Sequence, residues 1–364
     1  MPDQPAGVWV PLPGAPGREI LVPEAGDHIG DVMLEGWWQQ PPASLLALDV
    51  TEPGGVVLDL GAHIGTFALL AAHRGFEVIA VEASPINVAM LEASIRHNEL
   101  DITVVHAAVG DRSGTVRFGH RGPHGQVVSG WHAGAFDVPL RTVDDIVAEL
   151  AVRVPALVKL DVEGSELAAI SGMRDVLQRE PRPLVLYESN THTLRMFGVT
   201  SNELVRPFED LGFGVYVADE RHHALVAVTS DILQPDTCVD YLAAPGPISP
   251  PSPWRLRGAR TDDELATVVR DEAGAANPHQ RAAVAATLAS APAAFLARGD
   301  VRRSLEALAI DPADAVAYAV AWYRRSMHEP DPAGSAGLAV RLGELSDQAA
   351  ALRDRVEHIT RSWH

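Results

Sequence analysis

Short apolar runs alternate with helical patterns from Val56 onward, through the middle of the chain. Such runs are typical of strands buried on both faces of a parallel sheet, and the segments between them have the period of crossover helices. The predicted strands are Val56–Leu60, Glu77–Val81, Thr103–His106, Ala156–Leu160 and Leu184–Tyr187. The predicted helices are Ile64–Arg74, Ile86–Glu99, Val143–Leu150, Glu166–Gln178 and Ser201–Leu211.

Two more strand-like stretches follow, Gly214–Ala218 and Ala224–Thr229, joined by the polar turn Asp219–His223. The order of elements predicts an α/β fold, a doubly wound Rossmann-like sheet that ends in an antiparallel C-terminal hairpin. We assign this domain to residues 54–244.

Regions of different composition flank the predicted domain. Residues 1–53 are rich in proline and glycine and predict an N-terminal cap with a strand at Ile20–Val22 and a helix at Pro42–Leu48. Pro245–Pro253 holds five prolines and is typical of a linker. Residues 254–364 are rich in alanine and arginine with helical periodicity, so we predict a small α-helical C-terminal domain of unassigned role.

Composition narrows the classes of protein. No apolar run approaches the ~20 residues of a membrane span, and the N-terminus lacks the pattern of a signal peptide, so we expect a cytoplasmic protein that does not bind membranes. Cys238 is the single cysteine, which excludes an internal disulfide and a cysteine-rich zinc site. Of the formal charge of −19, residues 1–253 carry −18 (33 acidic, 15 basic), which argues against a nucleic-acid substrate.

The strongest local signal is the turn Gly61-Ala62-His63-Ile64-Gly65 between a strand and a helix. Glycines allow a ligand close to the backbone, and a helix N-terminus offers free N–H groups to a carboxylate. A dinucleotide fold usually has a further glycine beside the pyrophosphate; here Ala62 replaces it, and Asp59 precedes the turn. We therefore predict a ligand without phosphates at Asp59, Gly61, Ala62, His63 and Gly65, with an ordinary strand–helix turn as the alternative.

The next two strands end in residues suited to a nucleoside. Glu82 ends the second strand, where a carboxylate can accept hydrogen bonds from both ribose hydroxyls, and Ala83 follows it. Ala107 and Ala108 leave space for an adenine ring after the third strand. Asp111 either accepts from the adenine amino group or caps a turn.

These residues, together with Asn98, Arg141–Asp145 and Val158–Glu166, resemble the FkbM-type S-adenosylmethionine-dependent methyltransferase family. The resemblance covers about residues 54–230, and its most specific part is Lys159–Glu166. It implies a class I methyltransferase fold, S-adenosyl-L-methionine as cofactor and O-methylation of a hydroxyl on a sugar or natural product. The chain departs from the family at His63, where such turns often carry asparagine, and in the variable segment Gly119–Ala135.

Candidate catalytic residues lie after the fourth strand. Lys159, the single lysine, alternates with Asp161 and Glu163, so all three share one side if the strand extends that far. We predict that Asp161 contacts the cofactor and faces the acceptor hydroxyl, as base or orienting acceptor, and that Lys159 stays charged beside it. Glu163 or Glu166 can instead cap the following helix, an interpretation that suits Glu166 better.

Further candidates lie in later segments. Glu188 ends the fifth strand at the same edge, and His192 follows it; either can contact the acceptor or be a solvated loop residue. In Gly119–Ala135 we name His132 as a candidate base, and Trp131 can pack on a sugar or the cofactor, although His120, His124 and His132 are also consistent with a solvated loop. No spacing of ligands requires a metal, and we predict none.

The sequence thus predicts a methyltransferase of a small hydroxylated acceptor. Two other functions stay open: a nicotinamide-dependent oxidoreductase, which Ala62 disfavours, and a non-catalytic scaffold that binds the cofactor. The helical tail can mediate a homo-oligomer, dock a carrier protein or cover the cleft, and the sequence does not choose among these.

Overall fold

The computed structural model describes residues 5–24, 28–36, 38–121, 124–127, 135–220, 223–230 and 238–258. Most of them belong to one compact unit, residues 1–227 and 237–258. A second unit, residues 228–236 and 259–364, is described only at 228–230, so the predicted C-terminal domain lies outside the described residues except for 254–258.

The strands of the described residues are β1 (Val8–Pro11), β2 (Glu19–Val22), β3 (Val56–Leu60), β4 (Glu77–Glu82), β5 (Ile102–His106), β6 (Ala108–Val109), β7 (Gly114–Arg121), β8 (His124–Val127), β9 (Phe136–Arg141), β10 (Leu157–Leu160), β11 (Leu184–Asn190), β12 (Gly214–Asp219), β13 (Ala224–Val228), β14 (Cys238–Ala244) and β15 (Arg255–Arg257). The helices are α1 (His28–Leu34), α2 (Pro42–Val50), α3 (Thr66–His73), α4 (Pro85–Asn98), α5 (Val143–Glu149), α6 (Glu166–Ser171), α7 (Arg174–Gln178), α8 (Thr191–Met196) and α9 (Ser201–Asp210).

A mixed sheet of nine described strands, in the order β15-β13-β12-β14-β11-β10-β3-β4-β5, is the centre of the unit. The run β11-β10-β3-β4-β5 is parallel throughout. All five residues of β3 are buried, because a parallel strand in mid-sheet is covered on both faces. The prediction of a parallel α/β sheet is confirmed, and the five predicted strands lie where the sequence placed them.

Strand β14 was not predicted. It lies between β11 and β12 and is antiparallel to both, so β12 and β13 do not follow β11 directly in the sheet as the predicted hairpin implied. The run Tyr241–Ala244 is short, fully buried and adjacent to the prolines, so it lacks the alternation that reveals a strand. Tyr241 stacks on Tyr187 of β11 with ring centroids 5.1 Å apart.

The prediction of one helix over Glu166–Gln178 was wrong, since α6 ends at Ser171 and α7 begins at Arg174. The carbonyl of Gly172 accepts from the N–H of Asp144, 3.0 Å away. The Asp144 carboxylate in turn accepts from the N–H groups of Asp175 and Val176 at the start of α7. These hydrogen bonds to Asp144 of α5 replace the bonds that a continuous helix would make, so the helix is interrupted between α6 and α7.

A second sheet, β6-β9-β7-β8, was missed between β5 and α5. It includes part of the segment predicted as a loop, since β7 extends to Arg121 and β8 covers His124–Val127. Its buried side chains Ala108, Phe118, Val138 and Leu140 form a separate apolar cluster together with Ala83, which follows β4.

The N-terminal cap is held by helix α4. The Oγ of Ser94 accepts from the N–H of Leu21, and the Asn98 side chain both accepts from the N–H of Glu19 and donates to its carbonyl. Asn98 is 4% exposed. Although it is one of the residues that resemble the FkbM family, its role here is structural, at the edge of β2.

Candidate functional site

A cleft of about 860 Å³, including its open mouth, lies at the carboxyl ends of β3, β4, β10 and β11. This edge is where open α/β sheets bind ligands. The lining residues are Ile29, Gly61, His63, Val81, Glu82, Ala83, Asn87, Ala107, Ala108, Val109, Phe118, Asp161, Val162, Glu163, Ser165 and Glu188.

The glycine turn is fixed by its neighbours on both sides. The N–H groups of Gly61 and Ala62 donate to the carbonyl of Val81, at 2.9 and 3.0 Å. Gly61 has φ +82°, and a Cβ there would overlap the backbone carbonyl of Asp161. Glycine is therefore required because the backbone of the β10 end occupies the space of a side chain.

Gly65 begins helix α3 with φ +98°. A Cβ there would collide with the side chain of Leu91 on α4. No side chain caps this helix end, so its first N–H groups are available to a ligand carboxylate. Gly65 and Ala62 support the turn and are not among the lining residues, whereas Gly61 and His63 are.

Glu82 connects the turn to the next strand. It is 6% exposed, its Oε2 accepts from the N–H of His63 at 2.8 Å, and its Oε1 accepts from the N–H of Ser84 at 2.8 Å. The Nδ2 of Asn87 adds a longer bond of 3.3 Å to Oε1. A carboxylate offers about four acceptor positions, so these three donors leave room for a ligand hydroxyl at Oε2.

His63 has φ +53°, a region that non-glycine residues enter at a cost. Its bond to Glu82 holds this conformation and aligns the carboxylate. Sequence reasoning missed Asn87, whose only signal was its position three residues after the helix cap Ser84.

Lys159 lies between two carboxylates. Its Nζ is 3.2 Å from the Oδ2 of Asp161 and 3.7 Å from the Oδ1 of Asp59, which stands opposite it in the register of β3 and β10. Burial alone would lower the pKa of Lys159, but Asp161 and Asp59 outweigh it and the pKa is raised. The predicted charged lysine therefore has a structural basis.

Asp59 is completely buried, and its oxygens accept no conventional hydrogen bond from the described residues. Burial raises its pKa to about 6, although Lys159 opposes the shift. Asp59 is not a lining residue, so the structure places it beneath the site as the partner of Lys159.

Glu188 lines the cleft and stands opposite Asp240 of β14. Burial raises the pKa of Glu188 well above its ordinary value, and Asp161 and Glu163 raise it further. Burial and Asp161 also raise the pKa of Asp240, to about 7. Asp240 was missed because its strand was missed.

Glu166 organises the turn after β10. Its Oε1 accepts from the N–H groups of Val162 and Gly164, both at 3.1 Å, and the residue is 1% exposed. Both N–H groups precede α6, whose N-cap Ser165 makes no side-chain cap bond, so Glu166 stabilises the turn before the helix instead of capping the helix as predicted. Glu163, with φ +53°, and Ser165 line the cleft from the same turn.

The remaining candidates have different positions. Ala83 and Ala108 line the cleft. Asp111 is exposed, pairs with Arg112 at 2.9 Å and is not among the lining residues. His132 and Trp131 lie outside the described residues, and His192 falls in α8 with its side chain undescribed.

Residues 59–214 match the family described as Methyltransferase FkbM domain. The 31-O-demethyl-FK506 methyltransferase FkbM of Streptomyces tacrolimicus is 30% identical, and the match covers 34% of this chain and 61% of that protein. The 23S rRNA (uracil(747)-C(5))-methyltransferase of Pyrococcus abyssi is 38% identical over 18% of this chain and 16% of its own. The solved precorrin-6y C5,15-methyltransferase of Geobacter metallireducens has 13% identity and a TM-score of 0.37 over 65% of this chain and 98% of its own.

The family match over residues 59–214 confirms the resemblance seen in the sequence. S-adenosylmethionine, the methyl donor of that family, is the cofactor of this chain. Within the described ranges, no group of three or more His, Cys, Asp or Glu side chains is arranged to hold a metal ion. No helix in those ranges is long and apolar enough to cross a bilayer.

Proposed function

We propose that this protein transfers the methyl group of S-adenosylmethionine to a hydroxyl of a small neutral molecule, a sugar or a natural product. The observation that carries the proposal is the position of Asp161, which lines the same cleft as Glu82 and is held by Lys159 at 3.2 Å. A carboxylate at that place can receive a hydroxyl donor.

Several residues of the cleft suit separate parts of the cofactor. The Glu82 end offers an acceptor for ribose, and small side chains at Ala83, Ala107 and Ala108 leave space beside it for a base. The uncapped start of α3 suits an amino-acid carboxylate. The bound cofactor supplies an electrophilic methyl carbon and a neutral leaving group.

The protein's part is to orient the acceptor and manage its proton. Lys159 pairs with Asp161 at 3.2 Å and orients it, so that this carboxylate can accept the hydrogen bond of the reacting hydroxyl and take its proton. With the cofactor bound, transfer of its methyl group to the acceptor oxygen would release one proton, which Asp161 would take up. Glu188 retains a proton to higher pH and can donate to a neighbouring acceptor oxygen.

Charge supports a neutral acceptor. Asp161 and Glu163 line the cleft, and the nearby cation Lys159 is already paired with two carboxylates. An anionic acceptor would therefore be repelled. The relative from Streptomyces tacrolimicus is named for an O-demethyl substrate, which is consistent with a hydroxyl acceptor.

The test uses the full chain with S-adenosylmethionine deuterated at its transferred methyl. Acceptors are presented in three sets: neutral glycosides and hydroxylated macrolactones, sugar phosphates, and RNA. We expect O–CD₃ products in the neutral set and loss of product with Asp161→Asn. Label found on carbon or nitrogen, or in RNA alone, would overturn the proposal.

The same protein separates the two alternatives by calorimetry. Binding of NAD in place of S-adenosylhomocysteine would favour an oxidoreductase. Binding of S-adenosylhomocysteine with no turnover on any acceptor set would favour a scaffold. We expect S-adenosylhomocysteine to bind and NAD not to bind, because the turn at Gly61–Gly65 lacks the glycine that admits a pyrophosphate.

A further inference from the structure

The small sheet β6-β9-β7-β8 forms one wall of the cleft. Strand β6 follows β5 after a single residue, and β6 is parallel to β9. Its cluster includes Ala83, which belongs to the loop after β4, so the small sheet packs against the main sheet beside Glu82. The wall is therefore fixed relative to the ribose-binding carboxylate.

Phe118 of β7 is the residue that presents an aromatic ring at this wall. It is 6% exposed and lines the cleft together with Ala83, Ala107, Ala108 and Val109. No other phenylalanine, tyrosine or tryptophan of the described residues lines the cleft. Sequence reasoning missed it because β7 was not predicted.

Phe136 lies beside this ring on the neighbouring strand. Phe118 and Phe136 are opposite each other in the register of β7 and β9, with ring centroids 5.7 Å apart. Phe136 is half-buried and does not line the cleft. The two phenylalanines therefore allow a comparison between a ring that lines the cleft and a ring on the next strand that does not.

The position of Glu82 decides what meets Phe118. A ribose held at Glu82 has its base on one side and its 5′ substituent on the other. Asp161 and Glu188 occupy the side toward β10 and β11, so the base lies toward β5 and the small sheet. The residues on that side are apolar, and an aromatic ring there matches the flat face of a purine.

We propose that Phe118 packs against the adenine ring of the methyl donor and that the small sheet serves as the base-binding wall of the site. This inference rests on the proposed cofactor. It assigns Phe118 a binding role that Asp111, exposed and paired with Arg112, does not fill.

The test measures the affinity of two probes by calorimetry. S-adenosylhomocysteine carries the amino-acid end, whereas 5′-methylthioadenosine has the same adenosine without it. Phe118→Ala should weaken both probes by the same factor, roughly 5- to 150-fold, the loss for one base–aromatic contact. Phe136→Ala is the matched control. It should change both affinities by about twofold or less, because Phe136 is one strand away from the proposed contact and does not line the cleft.

Phe118→Leu guards against a folding defect, because it keeps an apolar side chain in the cluster but removes the ring. It should melt close to the parent and still bind both probes several-fold more weakly. Affinities of Phe118→Leu and Phe118→Ala equal to the parent would overturn the inference while leaving the proposed function intact. Failure of the parent to bind either probe would overturn both.

Discussion

The backbone of Gly61 packs directly against the carbonyl group of Asp161, in the space that a side chain at Gly61 would need. This contact places the cofactor turn after β3 beside the candidate catalytic carboxylate after β10. The two strands are neighbours in register, with Leu60 opposite Leu160, so the sheet brings the contact about.

Gly61→Ala should therefore lose both stability and cofactor binding. An alanine at φ +82° costs ~1–2 kcal/mol, and the overlap with Asp161 adds to it by separating β3 from β10. Gly75→Ala is the control, because φ there is +87° and nothing lies within 4 Å of the added Cβ. Urea unfolding should show a larger loss for Gly61→Ala; equal losses would mean that the contact with Asp161 is unimportant.

Glu82→Ala should abolish most of the affinity for S-adenosylhomocysteine. It removes the acceptor for the ribose and leaves the N–H groups of His63 and Ser84 without their partner, at ~1–3 kcal/mol each. Asn87→Ala removes only the longest of the three bonds and should weaken binding a few-fold. The ribose assignment fails if Glu82→Ala binds as tightly as Asn87→Ala.

Lys159→Met should destabilise the fold by about 3–5 kcal/mol, because it leaves the buried carboxylate of Asp59 without its cation. The double variant Asp59→Asn with Lys159→Met should recover most of the loss. Since Lys159 is the single lysine, its ¹⁵N signal can be followed directly by NMR. In Asp161→Asn that signal should titrate at lower pH, because burial lowers the pKa of Lys159 and Asp161 no longer raises it. A titration unchanged from the parent would contradict the pairing.

Asp161 and Glu188 should respond differently to amide substitution. Asp161→Asn should reduce turnover by about 10²–10⁴-fold with little change in cofactor affinity. Glu188→Gln keeps a donor and should retain most activity, whereas Glu188→Ala should raise the KM for the acceptor. Steady-state kinetics with the best neutral acceptor distinguishes these roles. If Glu188→Gln reduced turnover more than Asp161→Asn, Glu188 would be the proton acceptor and Asp161 the donor.

Stability should fall as pH rises from about 4 to about 7. Burial raises the pKa of Asp240 from 3.8 to about 7 and that of Glu166 from 4.5 to about 7. The folded state then holds protons that the unfolded chain has released, so the stabilisation is present below the unfolded pKa and is lost through the folded one. Each group contributes a slope of up to ~1.4 kcal/mol per pH unit.

Asp240→Asn should reduce that slope, measured by denaturant unfolding at several pH values. Asp101→Asn removes an exposed carboxylate and is the control. A slope in Asp240→Asn as steep as in the parent would show that this carboxyl group ionises alike in the folded and unfolded chains.

The residues whose positions were predicted best belong to segments in which the signal comes from residues close together in the sequence. The glycine turn, Glu82 and the Lys159–Glu166 block each combine a strand end with chemistry a few residues away. The structure adds reasons that the pattern did not contain: Gly61 accommodates Asp161, Gly65 accommodates Leu91, and Asn98 holds the N-terminal cap.

The residues that were missed depend on contacts between distant segments. Asp240 lies on a strand that pairs with β11, some fifty positions earlier, and Phe118 reaches the cleft through a sheet that the sequence pattern did not reveal. Asp111 looked suitable by position, yet the chain turns it toward Arg112 and solvent.

The sequence by itself determined the parallel strands, the glycine turn and the acidic residues at the strand ends, because apolar periodicity and glycine conformation act over a few residues. Tertiary structure decided the place of β14, the position of the small sheet beside the cleft and the pairing of Lys159 with Asp59. Backbone hydrogen bonding between strands is the same for every sequence, so which strands become neighbours depends on how the whole set of buried faces packs together.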